Sequence, residues 1–386
     1  MKMKIMTHFC NCAALALLSL AACTEIPGDK SKPEWKESAS GVWEISVGKP
    51  EKLNLLSELG LHPKWDAINA MPKADLPVDR DEIRFEEVDG KTYIRFPLDK
   101  GEKIFGLGLN FKTVEQRGRI LELHVDHYGG KDNGRTHAPV PFFVSSKGYG
   151  AFINSARYIK AYVGTGVRKD TKNPPEVQDR NTDPGWSAQP YSDNLEFLVP
   201  AEGVEVVLFA GQDMQDVVRR FNLFNGGGVL PPKWGLGFWH RVPTLFTDRQ
   251  VQDEIAEFRK RGFPLTVIGL EPGWMSRAYP CTYEWDATRF PEPGKFVNDL
   301  LQKHIRTNLW FNPGVSPECE IRDAIEPYTA SHTEWNGLVP DYRMPEARRI
   351  MLDHFKKHQL DLGVSGYKMD ENDGYDNWLW PDVATF

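Results

Sequence analysis

Asp370 and Glu371 follow an apolar run from Val364 to Met369, within Gly366-Tyr-Lys-Met-Asp370-Glu371, and Asp373 lies just beyond. Such a run reads as a buried strand that delivers carboxylates to its C-terminal end, where the catalytic groups of a parallel barrel collect. A carboxylate there can attack an electrophilic carbon. Lys368, two residues earlier, would keep Asp370 ionised or bind a hydroxyl, because an adjacent cation lowers a carboxyl pKa. Asp370 also suits the N-cap of a following helix, and Glu371 either orients its neighbour or caps the strand. On these residues alone the capping reading of Asp370 is slightly favoured.

Three earlier segments end in comparable residues: Trp239-His240, Glu271 with Trp274, and Trp310 with Asn312. If their strands are parallel, all of these side chains converge on one mouth. Aromatic faces there would stack on a sugar ring, and carboxylates would bind hydroxyls or attack an anomeric carbon. Any single aromatic could equally belong to the core; a whole set at successive strand ends is harder to explain that way.

The elements that must position them alternate. Gly235 to Trp239, Leu265 to Leu270, Asn308 to Phe311 and Val364 to Met369 read as strands. Helices are expected over Arg249–Arg261, near Phe296–His304, and over Glu346–Gln359. Strand–helix alternation implies right-handed parallel units. Without a dinucleotide glycine fingerprint, four such units favour the first half of a (β/α)8 TIM barrel. Upstream, Lys91 to Phe96, Leu195 to Val199 and Val204 to Phe209 alternate with period two, with a turn at Pro200–Gly203. They read as an N-terminal β-sandwich closed by a helix over Gln212–Phe224. The fold class is therefore α+β and multidomain, with a sandwich over residues 41–225 and an incomplete barrel over 226–386.

The N-terminus carries Lys2 and Lys4, an apolar Ala13–Leu20, and Leu20-Ala-Ala-Cys23. The apolar run is far shorter than the roughly 18–20 residues needed to cross a bilayer, so it reads as a secretory signal over residues 1–23. Leu-Ala-Ala-Cys resembles a bacterial lipobox, which implies lipidation of Cys23 and a membrane anchor at the cell envelope. Residues 24–40 are polar and suit a flexible tether. A net charge of −7 argues against nucleic acid as a partner. Of the five cysteines, processing would leave Cys23, Cys281 and Cys319. The last two are expected as buried thiols rather than a disulfide. No cofactor motif is present. No His/Cys group shows metal-ligand spacing, His124-Val-Asp126-His127 coming nearest.

Several motifs together resemble glycoside hydrolase family 31, the retaining α-glycosidases. They are Gly106-Leu-Gly108 with Gln116-Arg-Gly118, Pro141 to Gly150, Pro231-Pro-Lys-Trp-Gly-Leu-Gly-Phe-Trp239, Glu284-Trp-Asp286 through Phe290-Pro-Glu-Pro293, and Leu309-Trp-Phe-Asn-Pro313. The resemblance runs from about Ile104 to Asp373. It implies that Asp370 is the catalytic nucleophile. Lys368 matches the lysine of the α-xylosidase-like branch, and Trp310 a wall of the subsite for the scissile sugar. Glu271 falls where the family usually has an aspartate that binds sugar hydroxyls, which leaves glucose, xylose and galactose types open. Trp274, Trp239 and Glu371 complete the expected substrate contacts, and an oligosaccharide or α-glycoside is the expected partner.

In that family the acid/base aspartate, an arginine and a sugar-binding histidine come from later strands. Only residues 371–386 follow Asp370 here, so the expectation is a chain that stops short of the acid/base half. The main reading is an exported, lipid-anchored α-glycosidase. The alternatives are a non-catalytic glycan-binding lipoprotein or inactive remnant, and a transglycosylase that shares the covalent intermediate.

Overall fold

Period-two alternation builds the first half of the chain. The computed structural model describes residues 33–51, 61–125, 134–136, 138–171, 174–188 and 191–371. Among the described residues eleven strands come first: β1 (Lys36–Ala39), β2 (Val42–Gly48), β3 (Arg84–Val88), β4 (Lys91–Pro97), β5 (Ile104–Gly106), β6 (Arg119–Leu123), β7 (Phe142–Ser145), β8 (Tyr149–Asn154), β9 (Ile159–Thr165), β10 (Tyr191–Val199) and β11 (Gly203–Ala210). One sheet runs β1-β2-β11-β8-β7-β5 and the other β3-β4-β10-β9-β6, both antiparallel. Ile94, Phe96, Phe143, Phe197, Val206 and Leu208 fill a single core with contributions from both sheets. Phe96 and Phe143 meet edge to face, with centroids 5.2 Å apart.

The turn after Pro200 was expected to join β10 to β11. It does, but it carries the chain from one sheet to the other, since β10 pairs with β4 and β9 while β11 pairs with β2 and β8. The apolar density of β11 has the same origin. Val204, Val206 and Leu208 face the sandwich core, while Val207 and Phe209 face a second cluster under helix α1 (Met214–Phe224). Asp213 caps that helix, accepting from the Asp216 N–H at 2.9 Å.

Residues 36–39 correct one expectation. They are not part of a tether but form the edge strand β1, paired with β2 through Lys36–Glu44, Glu37–Trp43 and Ala39–Val42. Ala39 is buried there, which a polar composition hides. Cys23 and most of the expected tether lie outside the described residues, as do Asp126, His127 and Asp373.

The second half contains a parallel sheet in the order β12 (Phe238–Arg241), β13 (Leu265–Leu270), β14 (Arg306–Phe311) and β17 (Gly366–Met369). Helices α2 (Asp248–Lys260), α3 (Pro293–Gln302) and α4 (Pro345–His358) lie between successive strands, as half of a barrel requires. Val251, Ile255, Phe296, Leu300, Ile350 and Met351 from the helices pack with Ile268, Leu270, Leu309 and Phe311 from the strands. Thr247 and Gln250 form a reciprocal capping box that starts α2.

Two details differ from the sequence expectation. Lys233–Leu236 form a 3-10 turn after Pro231-Pro232, so the first parallel strand begins three residues late and ends at Arg241. A two-stranded hairpin, β15 (Thr329–Glu334) with β16 (Gly337–Pro340), is inserted between β14 and α4. Trp335 and Asn336 make its turn at φ 45° and 63°. Cys281 and Cys319 are free buried thiols, as expected.

Candidate active site on the inner face of the half barrel

Strand register decides which side chains share a face. Arg241 is level with Gly269, Gly269 with Asn308, and Asn308 with Gly366. Two residues further along each strand come Glu271, Trp310 and Lys368, and two beyond Lys368 comes Asp370. Because side chains alternate across a strand, all of these point away from the helices. The glycines make room. A Cβ on Gly269 would lie 2.6 Å from Arg241 Nη1, so only glycine lets the guanidinium cross the sheet there.

A row of alternating charges results. Arg241 Nε pairs with Glu271 Oε1, while its Nη1 donates to Asn308 Oδ1 at 2.9 Å and its Nη2 to the Leu270 carbonyl at 3.0 Å. Glu271 Oε2 lies 3.7 Å from Lys368 Nζ. Lys368 Nζ in turn lies 3.0 Å from Asp370 Oδ2. The same Oδ2 accepts the Trp310 indole N–H at 2.7 Å, and Oδ1 accepts the Glu371 backbone N–H at 3.1 Å. Burial works to raise the Asp370 pKa. The hydrogen bonds from Trp310 and Lys368 outweigh it and hold the carboxyl below the usual carboxylate range. Asp370 is thus an ionised, oriented, half-exposed carboxylate.

Three of the expected contacts are corrected. Trp274 is only 1% exposed. Its N–H donates to the Trp310 carbonyl at 2.8 Å, and its ring packs on Trp285 at 5.0 Å, so it supports the site from behind. Trp310 is also 1% exposed, which makes it a holder of Asp370 rather than an open wall. Trp239 lies two positions before Arg241, level with Val267, and donates to the Gly235 carbonyl at 3.0 Å. The late start of β12 moves it away from the mouth. His240 faces the helices, its ring tilted against Phe258 with centroids 4.6 Å apart and meeting Glu254 at 3.2 Å.

The aromatic surface at the mouth is instead Tyr279, 43% exposed. It lies over Trp310 with centroids 5.2 Å apart and over Trp335 at 5.0 Å. Its hydroxyl is pushed well up by burial and by the charge and hydrogen bond of Glu371. Glu371 adopts φ 59°, so its side chain serves this second cluster while its backbone serves Asp370. Behind them Glu334, at the end of β15, is 2% exposed, and among the described residues neither of its oxygens finds a hydrogen-bond partner. Burial first, and Glu371 second, push its carboxyl up to about 8.

Comparison with known proteins bears on the family and the fold. The model of the glycosyl hydrolases family 31 TIM-barrel domain matches residues 228–382. That of the glycosyl hydrolase 31 N-terminal galactose mutarotase-like domain matches residues 29–160. The chain belongs to glycoside hydrolase family 31. It is 26% identical to an alpha-xylosidase of Emericella nidulans over 300 residues, which cover 74% of this chain and 35% of that one. It is 25% identical to an alpha-xylosidase of Lactiplantibacillus pentosus over 298 residues, covering 72% and 35%. This family 31 chain therefore spans 35% of the length of either relative. In fold it resembles a dextranase of Flavobacterium johnsoniae solved with glucose, at a TM-score of 0.65 and 19% identity, covering 86% of this chain and 44% of that one.

Arg241, Asn308, Tyr279 and Glu334 are the site residues that sequence reasoning missed. Arg241 carried a usable signal: shifting the first strand to its true end places a charged residue at the mouth. Tyr279, Trp335 and Glu334 had none, since they come from irregular loops and an inserted hairpin.

Two outcomes follow from the geometry. Lys368→Met should raise the Asp370 pKa by about one pH unit or more, read from the pH titration of its carboxyl carbon by NMR; an unchanged midpoint would show that Lys368 does not hold this carboxylate. Glu334 is ionised when unfolded above about pH 4.5 but stays protonated in the fold until about pH 8. It therefore costs increasing stability as pH rises through that window. Relative to the parent, Glu334→Gln should gain on the order of a few kcal/mol between pH 4.5 and 8 in denaturant titrations, and a flat difference would refute the burial argument.

Proposed function

We propose that this chain carries the nucleophile-bearing part of an exported, lipid-anchored retaining α-glycosidase acting on terminal α-linked sugars. The observation that carries the reading is Asp370 itself, held ionised by Lys368 and aimed by the Trp310 N–H. Such a carboxylate can attack the anomeric carbon, releasing the aglycone oxygen and forming a glycosyl ester, which water then hydrolyses. Proton donation needs a second carboxyl group roughly 5–5.5 Å away across the glycosidic oxygen. Glu271 and Asp370 are both ion-paired, which suits hydroxyl binding and nucleophilic attack rather than acid catalysis. The resemblance to family 31 assigns the acid/base to a later strand. Both relatives named above are alpha-xylosidases, so α-xylosides come first among substrates, with α-glucosides next.

Glycosyl fluorides separate the two roles, because fluoride leaves without being protonated. Incubation with α-xylosyl or α-glucosyl fluoride should release fluoride and add one sugar to the peptide containing Asp370, detected by mass spectrometry. Asp370→Asn should lower that rate at least about 1,000-fold. Labelling elsewhere, or none with either sugar, would sink the assignment and favour the glycan-binding alternative.

Export rests on Lys2, Lys4, Ala13–Leu20 and the Leu-Ala-Ala-Cys23 motif. Among the described residues no helix is long and apolar enough to cross a membrane. In a bacterial host fed an alkynyl fatty acid, Cys23→Ser should abolish acylation of the chain and release it from the membrane fraction. Retention of the label would place the anchor elsewhere.

A further inference from the structure

On the helix-covered side of the sheet, away from Asp370, Glu320, His354 and His358 converge. The two histidines are four residues apart on α4 and so share one face of it, with ring centroids 4.5 Å apart. Glu320 reaches them from the loop that follows β14. Its Oε1 lies 3.2 Å from His354 Nδ1 and 2.8 Å from His358 Nε2. We propose that these three side chains form a binding site for a divalent transition ion of the zinc class.

The distances suit it. Zinc bonds to nitrogen and carboxylate oxygen of about 2.0–2.1 Å place tetrahedral ligands about 3.4 Å apart. The two nitrogen–oxygen contacts, at 3.2 and 2.8 Å, fall short of that edge by at most about 0.6 Å, and all three candidate ligand atoms lie within 4.8 Å of one another. The ligand types are those zinc prefers, with a fourth position left for water. His354 is 2% exposed, so its ring is held among packed side chains rather than in solvent. Sequence reading found no metal-ligand spacing and overlooked His354 and His358, because the third ligand lies 34 residues away.

One group competes. Lys357 Nζ lies 2.9 and 3.0 Å from the two Glu320 oxygens and supplies the positive charge that the ion would bring. Its side chain is 64% exposed and free to swing into solvent. A second set, Glu284, Cys319 and His354, sits beside the first. Its thiol is pushed up to about 11 by burial and donates to the Thr282 carbonyl at 3.2 Å, which disfavours the thiolate a metal needs. The bound ion would tie the loop after β14 to α4, the helix that leads into the strand carrying Lys368.

Titrating the untagged, chelator-stripped chain with zinc in a calorimeter tests the proposal. One ion should bind, at least about 10-fold more weakly in His358→Ala and about 10-fold more tightly in Lys357→Met, where cation repulsion is removed. Lys357→Met alters an exposed side chain and keeps the test informative if His358→Ala does not fold. Cobalt(II) should give a tetrahedral visible spectrum without thiolate charge transfer. The proposal is overturned by no binding, by affinity indifferent to both substitutions (zinc held at Cys10 and Cys12, for instance), or by a thiolate band that assigns the ion to Cys319.

Discussion

The contact between Lys368 and Asp370 is the constraint on which the site depends. Four charges of alternating sign, carried by β12, β13 and β17, cross the four-stranded sheet from Arg241 through Glu271 and Lys368 to Asp370. Each is partly removed from water, so each needs its neighbour. Removing any one would leave a desolvated charge next in line, which is why the row behaves as a unit. Register makes this possible, because only a parallel sheet with Arg241, Gly269, Asn308 and Gly366 level puts all four heads on one face.

The two halves of the chain solve burial differently. In the sandwich, strands such as β4 alternate because one face meets the core and the other water, whereas β11 is apolar apart from Glu205 because a helix covers its second face. In the half barrel the helix side is apolar, and the inner side carries charge paired into salt bridges. A polar inner face of that kind is compatible with folding only because its members neutralise one another. The inserted β15–β16 hairpin extends the inner surface with Trp335 and the buried Glu334.

Much of this was legible in the sequence. The run Leu265–Leu270 announces a buried strand by apolar density, and Asp370 with Lys368 stands out at the end of β17, which is shorter than the run Val364–Met369 and half-exposed rather than buried. The first parallel strand was misplaced because Gly235 to Trp239 is equally apolar, yet Pro231-Pro232 lead into a helical turn there. That shift hid Arg241 and promoted Trp239. Trp274 was misjudged for a different reason: spacing locates a residue after a strand, but not whether its ring turns inward or outward. Tyr279 and Glu334 lay beyond reach, since their proximity to Asp370 depends on loops with no periodic signal. The edge strand β1 was concealed by polar residues, which an edge tolerates because one side meets solvent.

The hydrogen bond from Trp310 to Asp370 has an optical consequence. An indole whose N–H points at a full negative charge 2.7 Å away has its excited state tuned by that charge. Esterification or protonation of Asp370 would replace the anion with a neutral acceptor and change the emission of that one ring. Its burial beneath Tyr279 shields it from quenching by solvent. Asp370 therefore has a fluorescent neighbour whose emission reports the charge of its carboxyl group without an added label.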